Sequence, residues 1–285
     1  MLVVMETIDR GEFDTAATPF GGMLRRWRKA RAVSQLDLAL EIGASQRHLS
    51  FLESGRARPS REMALRLARG LDMPLRERNL LLVAAGFAPV YREQGLADPA
   101  AAPIRQAIDF ILRQQEPFPG LVIDQYWSLV ASNEAAFRLI GDLVDIEAFA
   151  GRHCAGGPPN VLLLTVHPEG LRPHISNWRE LAPSLGERLR REALGGVADP
   201  RLVALWRQIE ALVPEVAQDA GVPAAMDLPP VASLRLRRGG REEAWFSTIA
   251  TLGTPLDAAL QELRIEQFFP ADAETEQAAR EAAAR

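Results

Sequence analysis

The twenty residues from Gln35 to Ser54, QLDLALEIGASQRHLSFLES, constrain this chain more than any other stretch. They form two short apolar-periodic segments on either side of a glycine. For two short helices to cross closely, the fifth position of the unit must be small, and it is Ala39. The turn needs a residue that accepts positive φ at the ninth position, and it is Gly43. Apolar residues must lock the pair at the fourth, fifteenth and eighteenth positions, and they are Leu38, Leu49 and Leu52. The second helix then offers Ser45, Gln46, Arg47, His48 and Ser50, all polar and able to donate hydrogen bonds. These are the steric demands of a helix-turn-helix. A hairpin made only for protein contacts is the competing reading, but it hardly needs such a face, so the pattern points to DNA.

The surroundings agree. From Phe20 to Gly86 apolar residues recur at helical spacing, with Met23 and Trp27, Leu38 and Ile42, Met63 and Leu67, and Leu80 and Val83 as pairs. Breaks fall at Gly43, at Gly55 to Pro59, at Gly70 to Pro74 and at Gly86. Ser34, with Asp37 three residues on, and Ser60 after Pro59 are helix-start signals. Charge is uneven. Residues 19–87 hold 13 Lys+Arg against 6 Asp+Glu, while the whole chain is at −4, so the basic character is confined to this segment. A basic head on an acidic body is the layout of a DNA-binding module joined to one that does not bind DNA.

Leu24 to Pro74, LRRWRKARAVSQLDLALEIGASQRHLSFLESGRARPSREMALRLARGLDMP, resembles the Xre/Cro-type helix-turn-helix family. The resemblance implies a lambda-repressor-like all-α domain of five helices whose third helix enters the major groove. It implies that Gln35 touches a phosphate and steadies that helix. Ser45, Gln46, Arg47, His48 and Ser50 then face bases or backbone, and Arg56 and Arg58 in the following loop contact phosphate. The chemistry suits these roles, since Arg pairs with guanine, Gln pairs with adenine, and loop arginines position the protein without reading sequence. For His48 a second reading stays open, as a partner of Glu53 or Glu41.

Residues 88–103, APVYREQGLADPAAAP, lack a period and read as a linker. Beyond it the pattern mixes helices and strands. Ile104 to Gln115 is helical, and Leu121 to Ser132 is strand-like with a bend near Asp124–Tyr126. Asn133 caps a helix running to Ile140. Asn160 to Val166 is a strand or a buried helix. Ile175 to Leu194 is helical, kinked or split at Pro183. Asp199-Pro200 starts a helix. Val231 to Arg238 and Arg241 to Thr251 form a hairpin about Gly239-Gly240, with Leu234 facing Trp245. After Pro255 a helix runs to about Leu263. Phe268–Pro270 closes the ordered fold, and residues 271–285 read as a charged, Ala-rich tail.

This second part resembles the MmyB-like ligand-binding domain, a PAS-like fold found behind Xre-type heads. QYWSLVASNEAAFRLIG, NVLLLTVHPEGLRPHISNW, DPRLVALWRQI and LRIEQFFPAD carry the resemblance. It implies a small-molecule sensor with an apolar cavity, for which a fatty acid is a candidate ligand. Trp127, Phe137, Trp178, Trp245 and Phe246 are candidate lining residues, as is Trp206, though each also reads as plain core. His174, Arg172 or Arg179 could meet a carboxylate head.

No enzyme signature stands out. The single cysteine, Cys154, excludes an internal disulfide and fits a reducing cytoplasm. His48, His153, His167 and His174 fit no zinc spacing, so neither a metal nor a catalytic residue is assigned. The longest apolar run, Leu80 to Val90, falls short of the ~18 residues of a membrane span. The sequence therefore predicts a multidomain cytoplasmic transcription regulator: an extension over 1–18, an all-α five-helix head over 19–87, a linker over 88–103, an α+β PAS-like domain over 104–270 and a tail over 271–285. Its expected partners are double-stranded operator DNA, a second copy of itself and a small-molecule effector, with no cofactor otherwise. The alternative is that the second domain is a ligand-free dimerisation or protein-interaction module.

Overall fold

The computed structural model describes residues 19–194, 199–216, 233–253 and 255–284. The expected extension over 1–18, the paired glycines at 195–196 and the first two residues of the expected hairpin lie outside these. The chain divides after Arg92 into two compact units.

The first unit contains α1 (Pro19–Ala30), α2 (Gln35–Glu41), α3 (Gln46–Glu53), α4 (Arg61–Gly70) and α5 (Leu75–Ala84). Three of them start on a serine whose hydroxyl accepts a backbone N–H of the first turn: Ser34 from Asp37, Ser45 from His48 and Ser60 from Met63. Leu38, Ala39, Leu49 and Leu52 are all buried at the crossing of α2 and α3, and Gly43 takes φ +63 in the turn. The steric demands read from the sequence are therefore met in place. At Gly21 a Cβ would lie 2.5 Å from the Glu53 carbonyl oxygen, so only glycine lets α1 pass this close to the end of α3.

The second unit is a five-stranded antiparallel sheet wrapped by helices. Its strands are β1 (Gly120–Ile123), β2 (Leu129–Ser132), β3 (Leu234–Arg238), β4 (Arg241–Thr251) and β5 (Arg264–Pro270), in the order β2-β1-β5-β4-β3. α6 (Ala102–Gln114) precedes β1. Between β2 and β3 come α7 (Glu134–Gly141), α8 (Ile146–His153), α9 (Val161–Val166), α10 (Trp178–Leu194) and α11 (Pro200–Leu212). α12 (Ala258–Gln261) joins β4 to β5, and α13 (Ala273–Ala283) follows β5. One sheet face packs Val122 and Ile265 against Ile108 and Leu112 of α6. The other carries Leu121, Ile123 and Trp245 into two apolar clusters with α9, α10 and α11. This is the α+β arrangement expected. The hairpin register is also as expected, with Leu234 opposite Trp245.

Of the two readings of Asn160–Val166 the structure takes the buried helix, Val161–Val166, capped by the Asn160 side chain. Several other expectations are corrected. α10 runs unbroken through Pro183 and begins at Trp178, because Ile175 is drawn into a β-bridge with Leu236. The stretch read as a linker belongs to the two units. Buried Asn79 accepts the N–H groups of Val90 and Tyr91 and donates to the Tyr91 carbonyl, tying that end to the first unit. Gln94 and Gly95 donate backbone N–H groups to the Asp257 carboxylate, and Ala101 is buried in the second. Nor is 271–285 a tail. Asp272 caps α13, Thr275 donates order to β4 by accepting the Ala244 N–H, and Ala278 and Ala279 are buried.

Candidate DNA interface and ligand site

α3 is set by a buried carboxylate at its end. Glu53, 2% exposed, accepts Nε and Nη2 of Arg28 at 2.6 and 3.0 Å and the Gln35 amide at 2.8 Å. The paired acid raises the Arg28 pKa above its ordinary value, chiefly through the hydrogen bond. This knot fastens α1 and the start of α2 to the end of α3. Glu53 is thereby committed to Arg28 and Gln35, with Arg25 at 3.8 Å as a further cation.

The outward side of α3 is open. Gln46 and Arg47 are exposed, and His48 and Ser50 are half-buried. Ser45 is exposed but spends its hydroxyl oxygen on the helix cap, leaving its O–H as a donor. Arg56 and Arg58 are exposed in the following loop. Phe51 carries a role the sequence reading passed over. Its ring lies 5.3 Å from the Arg47 guanidinium and 5.9 Å from that of Arg56, so it holds two cations on one side of the unit. An aromatic one turn after Arg47, on the recognition helix, was the available signal.

Some arginines of this unit are held within it and others are not, and Arg25 reaches Glu53 at 3.8 Å. Arg28 is spent on Glu53; Arg31 donates to the carbonyls of Leu71 and Asp72, Arg66 to that of Ile42, and Arg78 to that of Met73. Arg47, Arg56 and Arg58 meet no carboxylate among the described residues.

In the second unit the six expected ligand residues do not converge. Trp127 and Trp245 are buried on the inner sheet side but belong to different clusters, which half-buried Trp178 joins. Phe246 alternates with Trp245 along β4, so it faces the opposite side of the sheet, where it stacks on Phe269 at 5.6 Å. Phe137 is 60% exposed on α7. His174 is half-buried in a helical turn at Arg172–His174. Arg172 lies over Trp178 at 5.1 Å and pairs with Glu215. A groove of about 630 Å³ runs between the β1–β2 turn and α11, lined by Tyr126, Leu129, Val130 and Leu205 among others.

A histidine pair lies elsewhere. The rings of His153 and His167 are 4.0 Å apart, and Phe149 contacts both. Glu169 receives His153 and Arg152. Desolvation, and then the neighbouring His153, hold the His167 pKa below its ordinary value. Among the described residues no group of three or more His, Cys, Asp or Glu is placed to hold a metal.

Residues 24–78 match the helix-turn-helix family, and residues 104–282 match the family described as MmyB-like transcription regulator ligand binding domain. The chain belongs to the MmyB-like transcription regulators. An MmyB-like regulator of this build is a DNA-binding transcription regulator with a ligand-binding domain, and neither matched family is an enzyme family. No curated protein matches the chain significantly. Among solved structures, the restriction-modification controller protein C.AhdI from Aeromonas hydrophila is 34% identical, over 21% of this chain and 92% of its own, with a TM-score of 0.21. The PAS domain of BvgS from Bordetella pertussis is 14% identical, over 62% and 96%, with a TM-score of 0.24. An RNA-binding light-oxygen-voltage receptor is also 14% identical, over 93% and 62%, with a TM-score of 0.24. Among the described residues no helix of this MmyB-like regulator is long and apolar enough to cross a membrane.

Proposed function

We propose that the protein binds a specific operator as a homodimer and that a small apolar or amphipathic molecule, with a fatty acid as the candidate, sets its operator affinity. In this reading Gln46, Arg47, His48 and Ser50 face base edges, Ser45 and Gln35 touch backbone, and Arg56 and Arg58 hold phosphates. The observation that carries it is the division of the arginines. Arg25, Arg28, Arg31, Arg66 and Arg78 are engaged inside the unit, while Arg47, Arg56 and Arg58 stand exposed beside α3 with no acid to neutralise them among the described residues. Unspent cations beside a polar helix suit a polyanion whose counterions they release. The effector acts by population shift: it changes operator affinity only as far as it prefers one arrangement of the protein over another. Two heads about 34 Å apart would suit a near-palindromic site.

The test begins with genome-wide selection of bound fragments by the full-length protein, followed by titration on the recovered site. Arg47→Ala should weaken specific binding by about 1–3 kcal/mol and relax one base position. Arg58→Ala should weaken all sequences alike and reduce the salt slope by about one. Binding by both variants that equals the parent's would remove α3 as the reading element.

A further inference from the structure

Helix α3 carries one aromatic ring on its open side. At about 3.6 residues per turn, the buried Leu49, Leu52 and Glu53 mark the inward side of the helix. Arg47 and Phe51 are four positions apart and lie together on the opposite side. Helical side chains lean back toward the start of the helix, so the Phe51 ring lies over the turn that bears Arg47, 5.3 Å from its guanidinium. The following loop returns to the same ring. The Phe51 carbonyl accepts the Ser54 hydroxyl at 3.3 Å and the Ala57 N–H at 3.1 Å, and the Arg56 guanidinium comes to 5.9 Å from the ring. Phe51 is half-buried, while both arginines are exposed. The crossing of α2 and α3 is already closed without it by Leu38, Leu49 and Leu52.

The chemistry of the major groove narrows what such a ring can meet. Base-pair edges there present hydrogen-bond donors and acceptors and one apolar group, the 5-methyl of thymine. A guanidinium suits the O6 and N7 atoms of guanine. Ring and guanidinium are held side by side, within reach of neighbouring bases, which rise about 3.4 Å apart along a strand.

We propose that Phe51 packs on the 5-methyl group of a pyrimidine next to the guanine that Arg47 reads, so that thymine or 5-methylcytosine is selected at that position. The contact depends on the methyl group alone. It is therefore shared by thymine and 5-methylcytosine and is missing from uracil and cytosine. Methylation of a cytosine at this place raises the protein's affinity for its operator. The assignment rests on α3 as the DNA-reading element, as proposed above, and adds Phe51 to the residues that choose the sequence.

The test uses the full-length protein and the operator recovered as above, with the guanine located as the base position that Arg47→Ala relaxes. Each thymine beside it is replaced by deoxyuridine, which removes only the methyl. Affinity should fall about fourfold per half-site, the worth of one buried methyl. With cytosine in that place, methylation at C5 should raise affinity by about the same factor. The Phe51→Ala variant should bind thymine and deoxyuridine sites equally. The thymine–deoxyuridine comparison itself needs no variant protein. Equal affinity of the parent for both sites, with Arg47→Ala still relaxing the guanine, overturns the methyl contact alone. A Phe51→Ala variant that weakens both sites and keeps their ratio leaves the ring as a positioning residue for Arg47 and overturns the contact as well. So does an operator with neither thymine nor 5-methylcytosine beside that guanine. An Arg47→Ala variant that relaxes no base position overturns the α3 reading along with it.

Discussion

Glu53→Ala is the sharpest perturbation of the DNA-binding unit. The Glu53 side chain is 1% exposed and its partner Arg28 12% exposed, so removing the acid strands a guanidinium that water barely reaches. Breaking a buried pair from one side costs about 3–5 kcal/mol. Gln35 is half-buried and loses a bond to a charged acceptor, but water replaces part of that loss. The expected cost of about 3–5 kcal/mol is a large part of the 5–15 kcal/mol that stabilises an ordinary domain. Hydrogen exchange by mass spectrometry on the full chain reads it locally. Amides of α1 to α5 should lose about two to four orders of magnitude of protection, while those of β1 to β5 keep theirs. Arg28→Met combined with Glu53→Leu should restore most of the loss, since a buried pair replaced from both sides is often neutral or stabilising. A Glu53→Ala cost under about 1 kcal/mol, or no recovery in the double variant, would refute the reasoning.

Asn133→Ala should cost the second unit about 3 kcal/mol, measured by urea unfolding. The Asn133 side chain is buried and makes four bonds, to the N–H groups of Gly120 and Ala136 and to the carbonyls of Leu112 and Phe118. The histidine pair predicts a pH effect of definite sign. His167 has a depressed pKa in the folded state, so its contribution is present above pH ~6.5 and is lost as pH falls through the depressed value. The thermal midpoint should drop between pH 7 and 5, and His167→Gln should flatten that drop; an unchanged slope would remove His167 as its source.

The DNA-binding unit was legible because its constraints are local. Ala39, Gly43 and the three leucines each answer a steric demand set within twenty residues. The hairpin was legible for the same reason, since Gly239 and Gly240 both take the positive φ that a tight turn needs. β5 escaped because it lies at the centre of the sheet. Ile265 and Glu266 are both buried, on opposite faces, so no polar–apolar alternation marks the strand. α13 escaped because it docks through Thr275, Ala278 and Ala279, which carry little apolar signal. The ligand residues were the least legible. Choosing aromatics by type could not tell that Phe137 faces outward or that Phe246 lies across the sheet.

The strand order also fixes when each half of the protein comes into being on the ribosome. The five helices of the first unit all lie within residues 19–84 and can close once α5 emerges. β1 cannot complete its pairing until β5 arrives, because Gly120 faces Gln267 and Ile123 faces Arg264. Pairings of such long range are slow to form, and domains fold in the order of synthesis. Each nascent copy therefore passes through an interval in which the DNA-binding unit is finished and the sensor is not. Translation rate through the codons of β5 then decides how long a copy spends with its DNA-binding unit closed and its ligand-binding unit still open.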